Sequence, residues 1–180
     1  MREQAFSTTV SSRVMSPKHP YQSAFEVLSD DAGSVTLGWV ADAVFYTRFT
    51  GGLSAPVGMA YAARLRDLLS GVSSLSYFAD SSALSHYELL ARSAFARLIL
   101  ENRRKFSELV MLTWSVGVTH DGAAFATAVG DPITLLTDAR EFEQRLLAVA
   151  PLAKQRLDPR MWERSSVSKI AVASSMPAFK

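Results

Sequence analysis

The chain contains no cysteine. That excludes disulfides, thiolate nucleophiles and Cys-ligated zinc. Histidine is scarce too: His19, His86 and His120 lie in separate segments with no paired spacing. A metal site built on them would have to recruit distant carboxylates such as Asp121 or Asp80, so no metal is expected. No apolar run reaches the ~18–20 residues that span a bilayer, so no integral membrane segment is expected. Residues Met1 to Val10 lack the apolar core of a signal peptide. Nor is there a large charge of one sign: the net charge is +2, a weak argument for nucleic acid, and no nucleic-acid partner is expected. The Gly51-Gly52 pair lacks the Gly-Lys-Ser/Thr ending of a phosphate loop and reads as the end of a strand. No cofactor is expected, and no internal repeat is found. A soluble, cytoplasmic protein is the default reading.

What is present is apolar. Of 180 residues, 48% are hydrophobic and 10% aromatic, enough for one well-buried domain with tails. Residues 1–22, polar and rich in Ser and Thr, read as a flexible N-terminal arm. Residues 23–150 carry the periodic patterns of a domain. Residues 151–180 lose all period, and basic residues outnumber acidic ones six to two from Leu152 onward, so they read as a basic C-terminal tail.

The domain opens with strand patterns. Ala24 to Leu28 reads as a short strand, followed by turn chemistry at Ser29-Asp-Asp-Ala-Gly33. Val35–Val40 and Ala43–Phe49 predict two antiparallel strands. Alternation in the second places Val44, Tyr46 and Arg48 on one face and Phe45, Thr47 and Phe49 on the other. Ser54 then offers an N-cap, with Pro56 in the first turn and Gly71 closing the helix near Ser70. Leu75, Tyr77, Phe78 and Ala79 form a buried strand. Asp80-Ser81-Ser82 reads as a turn, and Ser85-His86-Tyr87-Glu88 as a capping pattern for a helix running to about Phe106. Tyr87, Leu90/Ala91, Ala94/Phe95 and Leu98/Ile99 form its inner stripe. Glu108–Val116 predicts a further buried strand, residues 122–129 a small-residue helix, and Ile133–Leu136 a last strand. Asp138 caps a final helix with Phe142, Leu146 and Val149 inward. The order is β-β-β-α-β-α-β-α-β-α, and the alternation implies parallel strands joined by crossovers.

That order over residues 33–149, with Tyr77-Phe-Ala-Asp-Ser-Ser-Ala-Leu84, resembles the STAS domain of anti-sigma-factor antagonists and sulfate-transporter tails. It most resembles the SpoIIAA-like, SEC14-like bacterial branch. The resemblance implies an α/β (α+β) fold with a mixed central sheet of about four or five strands and helices packed on it. It also implies a non-enzymatic regulatory module that meets a kinase-like or sigma-regulating protein partner, leaving a homodimer open. The antagonists' phosphorylated serine falls on Ser82, beside Ser81, with Ala83 where the signature has glycine. The recognition turn is then Asp80, Ser81, Ser82, Ser85 and His86. The SEC14-like relatives imply the alternative, a carrier of a small apolar or lipid ligand. The aromatics Trp39, Phe45, Tyr46, Phe49 and Trp114, ordinarily core residues, leave room for such a pocket. A third reading takes Asp80, Ser82 and His86 as the residue types of a hydrolytic triad.

Overall fold

The computed structural model describes residues 25–114 and 133–157, together with Thr127. The N-terminal arm, His19, His120, Asp121 and most of the basic tail lie outside the described residues. Of the stretch read as a small-residue helix, Thr127 is described, and it is helical.

A six-stranded sheet runs in the order β1-β2-β3-β4-β5-β6, more strands than the four or five expected. Strands β1 (Glu26–Ser29), β2 (Gly33–Ala41) and β3 (Val44–Leu53) pair antiparallel. Strands β4 (Leu75–Tyr87), β5 (Phe106–Leu112) and β6 (Ile133–Leu136) add to β3 in parallel. Helix α1 (Ala55–Ser70) joins β3 to β4. Helix α2 (Leu89–Asn102), followed by a 3-10 turn at Arg103–Lys105, joins β4 to β5. Helices α3 (Ala139–Val149) and α4 (Ala153–Arg156) follow β6.

Each face of the sheet has its own core. On one, Phe45, Phe49, Tyr77 and Leu109 pack with Tyr61 and Leu65 of α1 and Leu98 and Ile99 of α2. On the other, Val44, Tyr46, Phe78 and Val110 pack with Phe142 and Leu146 of α3. The alternation read along β3 is therefore the one the fold uses. Ser54 caps α1, its hydroxyl accepting from Val57 N at 3.4 Å, and Asp138 caps α3, accepting from Arg140 N at 2.7 Å. Asp30 builds the β1–β2 turn as its residue type suggests, accepting from Ala32 N and Gly33 N.

Several boundaries move. The turn at Asp80-Ser81-Ser82 does not exist: β4 continues to Tyr87, and α2 starts at Leu89 with Glu88, not Ser85, at its N-cap. The cause is β3, which does not stop at Gly51-Gly52 but runs to Leu53 and pairs with the extension of β4. Gly51 holds a φ of 75°, which glycine takes without strain. A Cβ on Gly52 would meet the His86 ring, with Nε2 at 2.6 Å, so the glycine is what lets the two strands stay together there. Gly71 closes α1 with a φ of −91°, so it needs no left-handed backbone. Leu90 and Val149 are exposed, off the stripes assigned to them. Ala153 and Leu157 pack into the α3 core, so the packed body reaches Leu157, inside the stretch read as tail.

Helices α1 and α2 approach closely where Gly58 meets Ala91; a Cβ on Gly58 would overlap the Ala91 Cβ. Gly58→Val should therefore cost about 1–3 kcal/mol of overpacking, read as a lower urea midpoint at unchanged slope. A neutral result would mean that the two helices can separate freely.

Candidate functional site

Alternation along β4 sends Asp80 and Ser81 to opposite faces, so the expected recognition residues are divided rather than gathered. Asp80 is 3% exposed and joins a polar cluster on the α3 face. Its Oδ2 accepts from Tyr46 Oη at 3.2 Å and lies 3.8 Å from Arg48 Nη1. Its Oδ1 accepts from Ser82 N at 3.0 Å and Ser82 Oγ at 2.5 Å. Burial, reinforced by the Asp80 charge, pushes the Tyr46 phenol well above its ordinary pKa. Arg48 escaped notice as a site residue, although its place on the inward Val44/Tyr46 side of a strand was a visible signal of a buried charge.

This arrangement occupies the groups the sequence offered for chemistry. The Ser82 hydroxyl donates to Asp80, so a phosphate there would displace that bond and sit against a carboxylate. The Ser85 hydroxyl pairs with His86 Nδ1 at 3.0 Å, and both residues are exposed. Asp80 thus holds Ser82 directly while His86 faces Ser85, and the Asp–His–Ser relay of a hydrolase is not formed. Ser81, 2% exposed, looks to the other face. Among the described residues no group of three or more His, Asp or Glu side chains could hold a metal ion.

On the α1/α2 face lies a partly open apolar cleft of about 90 Å³, between α2 and the C-terminal halves of β3 to β6. Its sheet side is lined by Phe49, Leu84, Leu109, Met111 and Leu135 and its helix side by Ala91, Phe95 and Ala96. Tyr61 and Ser81, both buried, also line it, and the exposed Arg92 brings a cation. Ala91 and Ala96 line it from α2 with small side chains. Tyr61 is held between Phe49 and Phe95, at ring distances of 5.4 and 5.9 Å. Its hydroxyl pairs with that of Tyr77 and lies 3.5 Å from Thr47 Oγ1.

Burial pushes the Tyr77 phenol from its ordinary 10.0 up to about 12, and moves Tyr61 well upward as well, aided by Tyr77. A raised pKa means the folded state holds the proton more tightly than the unfolded chain. The Tyr77 contribution to stability is thus complete below pH 10.0 and is lost as pH rises through about 12. Unfolding free energy should fall across that window by about 1.4 kcal/mol per pH unit per tyrosine, and less steeply in Tyr77→Phe. Urea titrations at stepped pH, with phenolate absorbance of the folded protein, check this. Ordinary phenolate titration in the folded state would refute the sealed arrangement.

No family model matches the chain, and no curated protein matches it. A solved structure does. It is an uncharacterized protein from the DUF3478 family with a SpoIIAA-like fold, from Shewanella loihica PV-4. The identity is 13% and the TM-score 0.48, over 68% of this chain and 92% of that one. The fold named for that protein is the one that the sequence resemblance implied. Among the described residues, no helix is long and apolar enough to cross a membrane.

Proposed function

We propose that the chain is a non-enzymatic binding module that takes a small amphipathic molecule, an apolar body with a polar or anionic head, into the α2 cleft. The observation that carries this reading is the composition of the cleft wall: nearly continuous aliphatic and aromatic surface, with a buried serine and an exposed arginine among its lining residues. Ligand sites combine apolar walls with a few placed polar groups in this way.

The protein-partner reading placed its surface on a turn at Asp80–Ser82. Those residues lie within a strand, two of them buried, and no feature of the cluster now favours a switch there over a structural role. A dansyl-labelled medium-chain fatty acid tests the ligand reading. Saturable, one-to-one fluorescence enhancement, displaced by the unlabelled acid, is the expected result. A linear, undisplaceable signal would count against the cleft as a site.

A further inference from the structure

We propose that the outer face of α1 and α2 docks on an anionic lipid surface. The overlap that a Gly58 Cβ would make with Ala91, and the 3.8 Å approach of Arg66 Nη2 to Glu101 Oε2, set the two helices side by side. Their outward side is unusual for a water-facing surface. Leu89 is 70% exposed, Leu90 64%, Met59 55% and Leu100 47%. Scattered exposed leucines need no explanation, but these are grouped. Leu89 and Leu90 are consecutive in the first turn of α2, and Met59 and Leu90 are the immediate neighbours of the touching pair Gly58 and Ala91.

The charges around this patch are of one dominant sign. Arg66, Arg97, Arg103 and Arg104 lie on the two helices and the 3-10 turn that ends α2. Asp67 and Glu101 are the acidic residues of those segments, and Glu101 is taken up by Arg97 at 2.7 Å and by Arg66. Glu88, at the N-cap beside Leu89, is engaged by α1, its Oε2 accepting from Ala55 N at 3.1 Å. Residues 89, 93, 97, 100 and 104 follow helical spacing, which puts Leu89, Arg97 and Leu100 along one stripe leading to Arg104. Aliphatic side chains interleaved with arginine fit the headgroup boundary of an anionic bilayer. The leucines enter the acyl edge and the guanidinium groups stay with the phosphates. Nucleic acid offers the charge but nothing for the leucines. This docking differs from spanning, and it holds whether or not the cleft takes a ligand.

Co-sedimentation of the full chain with vesicles tests it. Phosphatidylcholine vesicles are compared with vesicles carrying about one third phosphatidylglycerol, whose negative surface potential supplies the attraction. The protein should partition to the anionic vesicles and be released by high salt. The paired variants Leu89→Gln with Leu90→Gln, and Arg103→Glu with Arg104→Glu, should each weaken partitioning by about tenfold or more. All four side chains are at the surface, and circular dichroism verifies that the fold persists. Equal partition to neutral vesicles, no partition, or partition indifferent to both variant pairs overturns the proposal. So does binding to soluble polyglutamate that matches the vesicles in strength and ignores the leucine changes.

Discussion

Asp80→Ala should lower the free energy of unfolding by about 3–5 kcal/mol, the scale observed when one member of a buried charge pair is removed. The expectation rests on what the carboxylate does. It faces the guanidinium of Arg48, which is 6% exposed, accepts the Tyr46 hydroxyl, and accepts both the amide and the hydroxyl of Ser82. Alanine takes all of this away at once in a site nearly closed to water. Three comparisons apportion the loss. Asp80→Asn keeps acceptor capacity for Ser82 and Tyr46 and should cost less. Ser82→Ala should cost about 1 kcal/mol, a single hydrogen bond. Replacing both charges by apolar residues, Arg48→Met with Asp80→Leu, should recover most of the stability, because the desolvation cost of the pair disappears with it. Urea unfolding measures each variant. A loss below about 1 kcal/mol for Asp80→Ala would mean that water reaches the cluster and that the residue is available for recognition after all.

Ala96→Trp should abolish saturable ligand binding while leaving the fold intact. Ala96 is half-buried on the cleft side of α2, so a bulky ring there has a route into the cleft and need not force the core apart. An indole fills much of a space of about 90 Å³ and removes the gap between helix and sheet. Affinity for the dansyl fatty acid should drop by about a hundredfold or more, since the apolar body of the ligand loses its burial. Stability should change little or rise, because the cleft wall gains contacts. Retained affinity would place the ligand elsewhere.

The sequence made the repetitive parts of the fold legible, and the reasons are local. In β3 the alternation of Val44, Tyr46 and Arg48 against Phe45 and Phe49 survived because both faces are buried by different helices. Ser54 and Asp138 capped where they were expected to, since a short acceptor side chain at a helix start has few other uses. The last strand, Ile133–Leu136, stood out between turn residues and a cap. The stretch from Asp80 to Tyr87 misled because its polarity looks like a loop. In the fold that polarity is satisfied inward, by Tyr46 and Arg48 on another strand. Two register shifts against β3, at each of which β4 carries an extra residue, also break the strand period that would have identified it. Ser85 looked like a cap because Ser-x-x-Glu is a capping pattern, but here Glu88 serves α1 as well: its Oε2 accepts from Ala55 N at 3.1 Å. The cleft was legible only as a surplus of aromatics. Locating it needed the pairing of α2 with β5 and β6, a relation of distant segments that no local pattern encodes.

Native mass spectrometry of the full chain, taken gently from fresh lysate beside its Ala96→Trp variant, tests the central claim most directly. The expected result is a discrete added mass of small-molecule size on the parent protein, released by activation or organic solvent, and absent from the variant. A clean apo mass for both proteins, or the same adduct on both, would contradict a ligand site between α2 and the sheet.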